Sequence, residues 1–277
     1  MNYRHAYHAG NFADVLKHAS LVAVLLHLRK KETPFAVIDC HGGRGLYDLS
    51  AQEATKTGEA AAGIGRLLQR DSVPGVLKPY LDLVRGFGPS TYPGSPLIAA
   101  KLLRHKDRLV AIEKHPEEYA ALAHVLGKER RVRLIQGDYA KELLKLVPPP
   151  ERRGVILIDP PYEVEDEFAQ ATRLLIAAHR RFANGIFLFW YPAKKAPSVD
   201  ASAGELLNAG IKSLLAIELD VGRPPQADEN RLSATGLLIA NPPFGFADAM
   251  GETMPFLTDH LAQGGQASGR VEVLAER

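Results

Sequence analysis

Short apolar runs alternate with segments of helical periodicity along most of this chain. The runs that predict strands are 35–39, 108–112, 133–136, 155–158 and 185–190. The segments that predict helices are 11–31, 96–104, 166–182 and 203–208. We expect the first helix to be amphipathic, because its apolar residues recur at helical spacing. Consecutive apolar residues in the runs indicate parallel strands buried on both faces, so the alternation predicts an open α/β sheet with its ligands at the strands' carboxyl ends.

Two further apolar runs near the end of the chain, 212–221 and 234–240, are separated by a loop and not by a helix. A loop connection indicates an antiparallel pair at the far side of the sheet. The sheet is therefore expected to have seven strands. The stretch after Gln263 contains glycine and serine, and we expect it to be a frayed terminus.

A glycine-dense turn, Cys40-His41-Gly42-Gly43-Arg44-Gly45, follows the first predicted strand. A cofactor can approach the backbone closely at such a turn, because glycines such as Gly43 carry no side chain to block it. In dinucleotide-binding folds an acidic residue that holds ribose hydroxyls follows about twenty residues later, at the end of the second strand. Here that acid is Glu113, 68 residues after Gly45. The distance predicts an insertion of roughly fifty residues.

The insertion contains two segments with helical periodicity, 59–69 and 76–87. We therefore expect an inserted helical subdomain at residues 46–94. Residues 1–45 and 95–277 would form the main domain, with an N-terminal arm and the first helix.

The sequence Tyr92-Pro93-Gly94 marks a turn, and Ser95-Pro96 then begins the next helix. Serine is a preferred N-cap and proline a preferred first helical residue. We expect this helix N-terminus to face the glycine turn, where its unpaired N–H groups would bind a carboxylate of the cofactor.

The tetrapeptide Asp159-Pro160-Pro161-Tyr162 directly follows the apolar run 155–158, which places it at a strand's carboxyl end. An amino group on a nucleobase is a poor nucleophile, because its lone pair is delocalised into the ring. Asp159 can accept a hydrogen bond from that group, and the fixed turn lets the carbonyl of Pro160 accept a second. Tyr162 offers a ring face to an unstacked base. In this context the motif favours methyl transfer to a nucleotide amine over an incidental Pro-Pro loop.

A similar tetrapeptide, Asn241-Pro242-Pro243-Phe244, also follows an apolar run. It follows the last strand and not the fourth, and asparagine lacks a carboxylate, so we expect a structural turn. Trp190 and Tyr191, at the end of another strand, are interpreted either as walls of a base pocket or as core aromatics.

Charge and cysteine content limit the class of protein. The 277 residues carry a net charge of +2 and a single cysteine, Cys40. No intrachain disulfide is possible, and the N-terminus lacks the apolar core of a signal peptide, so we expect a cytoplasmic protein with no membrane partner. The basic clusters 29–31, 128–133, 152–153 and 180–181 could form one basic face, or each could be a solvated helix end.

Several stretches resemble the bacterial 23S rRNA adenine-N6 methyltransferases that modify adenine 2030. The stretches that carry the resemblance are Tyr3 to His18, His41 to Gly45, Tyr92 to Pro96, Asp159 to Glu163 and Trp190 to Pro192. The resemblance implies a Rossmann-like class I methyltransferase sheet with a helical insertion and S-adenosylmethionine as the methyl donor. It further implies donor contacts at His18, His41, Ser95, Glu113, Asp138, Tyr139 and Asp159.

Physical arguments support three of these positions independently. Glu113 has the ribose position, Asp138 can accept a hydrogen bond from the donor's adenine amine, and Ser95 lies near its methionine carboxylate. For the RNA substrate, the resemblance implicates Tyr3, and His5 and Lys17 are interpreted as its companions beside Tyr162.

The histidines at 5, 8, 18 and 41 suggest a metal site, but no cysteine accompanies them and a sulfonium donor needs no Lewis acid. We expect no metal. Lys17 and His18 are adjacent in a helix and point to different sides, so at most one of them is required to enter the pocket.

The resulting hypothesis is a monomeric enzyme that methylates N6 of a single adenine, adenine 2030, in 23S rRNA. The nearest alternatives are a DNA adenine or cytosine amino-methyltransferase and an rRNA guanine-N2 methyltransferase. An alternative of another class is a nucleic-acid-binding protein without turnover. The three acids Glu113, Asp138 and Asp159 argue against it, because binding alone does not require all of them.

Overall fold

The computed structural model describes residues 5–163, 166–193, 199–223 and 231–276. Its strands are β1 Ala36–Asp39, β2 Leu46–Asp48, β3 Thr91–Pro93, β4 Arg108–Glu113, β5 Val132–Gln136, β6 Gly154–Ile158, β7 Ile186–Tyr191, β8 Leu214–Asp220, β9 Ala234–Ala240 and β10 Ser268–Ala275. Its helices are α1 Phe12–Arg29, α2 Gln52–Thr57, α3 Glu59–Ala62, α4 Ile64–Leu68, α5 Lys78–Arg85, α6 Ser95–Leu102, α7 Pro116–Leu126, α8 Tyr139–Leu146, α9 Glu167–Arg181, α10 Val199–Asn208 and α11 Phe246–Leu261. A short 3-10 helix, His5–Tyr7, precedes α1.

The central sheet has eight strands in the order β10-β8-β9-β7-β6-β1-β4-β5. Strands β1, β4, β5, β6 and β7 are parallel, whereas β9 is antiparallel to both β7 and β8. Two buried apolar clusters lie on the two faces of the sheet, one shared with α1, α5, α6 and α11 and the other with α8, α9 and α10. The α/β, Rossmann-like fold class and the antiparallel β8–β9 pair are confirmed.

The prediction of seven strands with a frayed terminus is wrong. Ser268–Ala275 forms an eighth strand, β10, antiparallel to β8 at the edge of the sheet. Its apolar residues, Val271 and Val273 to Ala275, form only a short run beside a glycine- and serine-containing stretch, and none of its residues is fully buried. Backbone hydrogen bonds to the free edge of β8 hold it in place, and these depend on tertiary structure.

Helix α1 is not amphipathic as predicted, because fourteen of its residues are buried. It packs against α5, α6, β6 and β9, so almost all of its sides are covered. Its start agrees with the prediction, since Asn11 is the N-cap and accepts a hydrogen bond from the Asp14 amide at 3.0 Å. The consequence is that the polar residues of α1 are buried inside the protein.

The segment between β1 and β4 contains the predicted helices and also a strand pair that was not predicted. Strands β2 and β3 form an antiparallel pair that joins the start of this segment to its end, and α2 to α5 lie between them in the sequence. Tyr80 and Leu81 of α5 belong to the same buried cluster as α1. The division at residues 46–94 into a separate subdomain stays a prediction.

Helix α6 begins one residue earlier than predicted. Gly94 is the N-cap, in an extended conformation, and Ser95 and Pro96 are the first two helical residues. Ser95 is therefore not the cap that the sequence suggested. Its side chain is buried, which a solvent-facing cap would not need to be.

Candidate active site

A cavity of about 740 Å³ lies at the carboxyl ends of the parallel strands. Twelve of the predicted site residues line it together: His5, Lys17, His18, His41, Gly43, Ser95, Glu113, Asp138, Tyr139, Asp159, Pro160 and Tyr162. Tyr3, the remaining one, lies outside the described residues. Positions spread over 158 residues of chain, from 5 to 162, thus line one cavity, and the roles assigned to them stay predictions.

The tetrapeptide turn is held from two directions. The amide of Asp159 donates to Nδ1 of His41 at 3.1 Å, which ties β6 to the glycine turn after β1. Tyr162 adopts a left-handed conformation with φ of 53°, and its hydroxyl donates to the carbonyl of Trp190 at 2.6 Å. The ring of Tyr162 lies 5.6 Å from that of Trp190. The turn is therefore fixed before any substrate arrives.

Lys17 bridges two carboxylates inside the protein. Its Nζ lies 2.5 Å from Oδ2 of Asp159 and 2.9 Å from Oδ1 of Asp14. Burial opposes the charge on Lys17, but the two acids outweigh it and raise the pKa of Lys17 above its ordinary value. Oδ1 of Asp159 accepts no hydrogen bond from the described residues, so it remains available to a ligand.

Asp14 is the most buried charged group of this network, with 1% of its side chain exposed. Besides Lys17, it accepts hydrogen bonds from the amide of Gly10 and from Nε2 of His5, both at 2.9 Å. Burial alone would raise its pKa, yet His5 and Lys17 hold the pKa of Asp14 well below the ordinary value. Asp14 therefore fastens the N-terminal arm to the cavity. Sequence reasoning missed it, although its spacing from Lys17 places both on one helix face.

Both Lys17 and His18 line the cavity, which corrects the prediction that only one is required there. Adjacent helical residues can both line the cavity because Asn11, Ala13 and Asp14 of the same helix end line it as well, so more than one side of α1 faces it. Nδ1 of His18 lies 2.7 Å from the hydroxyl of Tyr92, which in turn lies 2.8 Å from that of Tyr80. Burial lowers the pKa of His18 to about 3, so the imidazole is neutral at physiological pH.

His41 is a second neutral imidazole, since burial lowers its pKa to about 4. Nδ1 accepts a hydrogen bond, so the proton of the neutral ring is on Nε2. Nε2 is buried and has no partner among the described residues. A buried donor without a partner is rare, which indicates that a ligand acceptor belongs beside it.

The glycine turn is held by two acids from the next crossover. Glu113 ends β4 and accepts hydrogen bonds from the amides of Gly43 and His115, each at 2.7 Å. Burial raises the pKa of Glu113, partly offset by these bonds. Arg44 makes a two-pronged contact with Glu118, at 2.7 and 3.0 Å. A Cβ at Gly43, whose φ is 56°, would lie 2.3 Å from the Tyr47 hydroxyl, so only glycine fits.

Asp138 follows β5 and is the N-cap of α8, accepting from the amide of Ala140 at 2.9 Å. Its other oxygen lies 2.8 Å from Nζ of Lys114. Burial raises the pKa of Asp138, but Lys114 outweighs it and the pKa lies below the ordinary value. The ring of the next residue, Tyr139, lies 4.3 Å from that of His41 and forms a wall of the cavity.

Asp39, the last residue of β1, is a buried acid that the sequence analysis did not select. Its Oδ1 accepts from the amide of His41 at 3.2 Å, and its Oδ2 has no partner among the described residues. Burial raises the pKa of Asp39 to about 7. The signal was available, because Asp39 ends a buried strand before the glycine turn just as Glu113 ends β4.

The two interpretations of the aromatic pair each hold for one residue. Trp190 lines the cavity, and its indole N–H donates to Thr235 at 2.6 Å. Tyr191 is buried in the core, where its hydroxyl donates to Glu218 at 2.8 Å.

These residues fit S-adenosylmethionine by their chemistry. Glu113 and Asp138 can accept from hydroxyl and amino groups, and the first turn of α6 and the free Nε2 of His41 can donate to a carboxylate. Among the described residues no group of three His, Cys, Asp or Glu side chains could hold a metal ion. In the described part of the chain, no helix is both long and apolar enough to span a membrane.

Comparisons with known proteins agree over nearly the whole chain. The family model described as "Ribosomal RNA large subunit methyltransferase D, RlmJ" matches residues 32–274. Two curated relatives are named ribosomal RNA large subunit methyltransferase J. The Escherichia coli protein is 38% identical over 275 residues, and the alignment covers 98% of each chain. The Haemophilus influenzae protein is 37% identical over 277 residues, with 98% of each chain covered.

A solved structure is also similar. The crystal structure of a Legionella pneumophila protein superposes with a TM-score of 0.84 at 32% identity, covering 96% of this chain and 98% of that one. The family match and the two curated relatives each span most of the sequence that forms the cavity. On this evidence the chain belongs to the RlmJ family of ribosomal RNA large subunit methyltransferases.

Proposed function

We propose that this protein transfers a methyl group from S-adenosylmethionine to N6 of one adenine, adenine 2030, in 23S ribosomal RNA. The observation that carries the proposal is the position of Asp159. Its carboxylate lies in the same cavity as the glycine turn, Glu113 and Asp138. An acceptor for an amino group thus adjoins residues suited to the donor.

Asp159 and Pro160 act on the amino group of the adenine. Oδ1 of Asp159 accepts one N6–H and the carbonyl of Pro160 accepts the other, which favours a lone pair localised on nitrogen. Lys17 holds Oδ2, so the carboxylate keeps one orientation. Such preorganised contacts supply much of the rate acceleration in group transfer.

The aromatic side chains hold the base. Tyr162 and Trp190 form one wall of the cavity, and the hydroxyl of Tyr162 is already fixed to the Trp190 carbonyl. An adenine that leaves its stack in the RNA regains stacking energy against this wall. His5 is hydrogen-bonded to Asp14 and also lines the cavity, and with Tyr3 and Lys17 it would contact the RNA around the base.

The donor site is proposed from the residues on the strands β1, β4 and β5. S-adenosylmethionine supplies an electrophilic methyl group on a sulfonium. Glu113 would bind the ribose and Asp138 the adenine amine, and Tyr139 would cover the adenine. His18, His41, Gly43 and Ser95 would surround the methionine end, with Asp159 beside it.

We further propose that the enzyme works as a monomer in the cytoplasm and without a metal ion. A sulfonium needs no Lewis acid, and the buried histidines already have protein partners at one nitrogen. The single cysteine is buried and fits a reducing compartment.

The test is transfer of labelled methyl from S-adenosylmethionine to unmodified 23S rRNA, followed by mass spectrometry of the nucleosides. We expect N6-methyladenosine at one position. A transcript with that adenine replaced by uracil is the matched control and should stay unlabelled. Label in N2-methylguanosine, or in DNA alone, would assign a different substrate. Failure to bind S-adenosylmethionine would favour a binding protein without turnover.

A further inference from the structure

Cationic residues gather at the amino ends of the parallel strands, at the end of the sheet opposite the cavity. The segments that lead into β1, β4, β5, β6, β7 and β8 are 29–35, 104–108, 128–131, 151–153, 180–184 and 209–213. All six strands run in the same direction, so these segments lie along one edge. We call the lysines and arginines of these segments the basic edge.

Charge is strongly segregated there. The basic edge holds fourteen of the 34 lysines and arginines of the chain, whereas the same segments hold only four of the 32 aspartates and glutamates. A chain with a net charge of +2 therefore carries a large local excess of positive charge on one face and a negative remainder elsewhere. The net charge of the whole chain does not reveal this distribution.

Nine cations of the basic edge are exposed, and their side chains form neither an ion pair nor a hydrogen bond with the described residues. They are Arg29, Lys30, Lys31, Lys106, Lys128, Arg130, Arg152, Arg180 and Lys212. The acids of these segments are mostly engaged by other arginines: Asp107 by Arg104, Glu129 by Arg131 and Glu151 by Arg108. The exposed cations are thus left for an external partner.

Other arginines fix the shape of this edge by bonding carbonyls of neighbouring segments. Arg104 donates to the carbonyls of Lys31 and Thr33, at 2.8 and 3.1 Å. Arg153 donates to the carbonyl of Thr33 at 2.8 Å, and Arg131 to that of Leu103 at 2.5 Å. Segments that are hydrogen-bonded to one another lose little conformational entropy on binding. The edge is therefore a preorganised surface and not a set of mobile tails.

The cations of the basic edge lower the pKa of a neighbouring histidine, His27. Burial lowers the pKa of His27 in the last turn of α1, and Lys30, Arg153 and Lys31 lower it further. Cations from two separate segments, 29–35 and 151–153, therefore act on the same histidine.

An exposed aromatic lies on the same edge. Strand β9 is antiparallel to its neighbours, so its carboxyl end, followed by Asn241 to Phe244, reaches the basic edge. Phe244 is fully exposed, at 100%. The amide of Asn241 donates to the carbonyls of Ala183 and Gly185, which places the start of this turn beside the segment of Arg180. Exposed aromatics among cations are typical of surfaces that bind unpaired nucleotides.

We infer that the basic edge is a second RNA-binding surface, which holds the phosphate backbone of the substrate rRNA away from the target nucleotide. Seven neighbouring strands, from β5 to β8, give this surface a length of about 29 Å at 4.8 Å per strand. The strands separate it from the cavity by roughly 20 Å. A large folded RNA can span that distance, whereas a stem–loop trimmed to the few base pairs next to the target adenine is too short to reach both sites. The inference rests on the proposed function, because it takes rRNA as the partner.

The test compares two proteins on two RNAs. The variant carries Lys30→Gln, Lys31→Gln, Lys106→Gln and Arg130→Gln, all on exposed loop or helix-end positions. The matched control keeps the charge with Lys30→Arg, Lys31→Arg, Lys106→Arg and Arg130→Lys. The RNAs are a domain-length 23S transcript and a short stem–loop with the target adenine. The measurements are KM, kcat and the dependence of RNA affinity on KCl concentration.

For the long RNA we expect KM of the neutralised variant to rise about tenfold or more. The slope of log affinity against log salt should fall by about 3, since each phosphate contact contributes 0.7 to 0.9. The control should match the unmodified protein, and KM for the stem–loop and kcat should not change. Phe244→Ala should weaken binding of the long RNA about tenfold, and Phe244→Tyr should not.

Two results would overturn the inference. One is an unchanged salt slope and KM for the long RNA, and the other is an equal loss on both RNAs, which would indicate general electrostatic steering. Binding of the protein to phosphatidylglycerol vesicles through these cations, without a change in RNA affinity, would assign the edge to a membrane instead. If no RNA is methylated but the salt slope still falls in the variant, the proposed function fails and the RNA-binding surface stands.

Discussion

Two Pro-Pro turns of nearly the same sequence lie at opposite edges of the sheet and have different surroundings. Asp159-Pro160-Pro161-Tyr162 follows β6 and lines the cavity, whereas Asn241-Pro242-Pro243-Phe244 follows the antiparallel strand β9. Each contains a residue with positive φ, Tyr162 at 53° and Asn241 at 54°. The positive φ falls on the last residue of the first tetrapeptide and on the first residue of the second, so similar sequences form turns of different conformation. The direction of the preceding strand decided which one joined the functional site.

The two polar side chains also differ in what satisfies them. The amide of Asn241 donates to two backbone carbonyls, of Ala183 and Gly185, and is a structural tie. The carboxylate of Asp159 is held by Lys17 at one oxygen and keeps the other for a ligand. A structural residue has its hydrogen bonds filled by the backbone, and a binding residue keeps one open.

The largest expected effect is on catalysis. Asp159→Ala should lower methyl transfer about a thousandfold, because the amino group loses its carboxylate acceptor. S-adenosylmethionine affinity, measured by calorimetry, should fall much less. Asn241→Ala is the matched control at the other turn and should keep full kcat. Full activity of Asp159→Ala would contradict the proposed chemistry.

The next effect concerns the cation that satisfies Asp159. Lys17→Met should destabilise the protein by about 3 to 5 kcal/mol, because Asp14 and Asp159 lose their shared buried partner. Urea denaturation measures the change. Lys101→Met, at an exposed position of α6, should have little effect. Adding Asp14→Asn to Lys17→Met should recover part of the loss, and no recovery would show that the buried charge is not the cause.

A pH-dependent effect is expected from Asp39, the buried acid at the end of β1. Its pKa rises from an ordinary 3.8 to about 7 in the folded protein. The folded state binds this proton more tightly, so the stability that Asp39 contributes is largest below pH 4 and is lost as pH rises to 7. Asp39→Asn should therefore raise Tm at pH 8 and change it little at pH 4. Asp259→Asn, at an exposed position, is the control, and equal shifts of Tm at both values would reject the argument.

The smallest effect is expected at the second turn. Asn241→Ala removes two donated hydrogen bonds and places alanine at positive φ, so stability should fall by about 1 to 3 kcal/mol. Asn241→Gly keeps the backbone conformation and should cost less. Denaturation curves give both values. A larger loss for glycine would show that backbone conformation is not the limiting factor at this turn.

Sequence reasoning located the parallel strands, the glycine turn and twelve of the cavity residues, because these depend on local apolar runs and on strand ends. It placed the N-cap of α6 at Ser95 instead of Gly94. Both serine and glycine occur as N-caps, and Pro96 is compatible with a helix that begins at either position. It missed β10, whose apolar run is short and follows a stretch of glycine and serine that is typical of a loose terminus. It also missed the role of Asp14 and the burial of almost all of α1, because both depend on how many elements pack around that helix.

The sequence by itself determined the α/β alternation, the turn chemistry and the choice of acids at the strand ends, because backbone preferences and apolar periodicity act over a few residues. Only the tertiary structure decided that Lys17 meets Asp159, 142 residues later, and that burial keeps His18 and His41 neutral. It also decided that β9 lies between β7 and β8, and that six separate basic segments share one edge. These features depend on strand direction and on packing between distant elements, which no local pattern specifies.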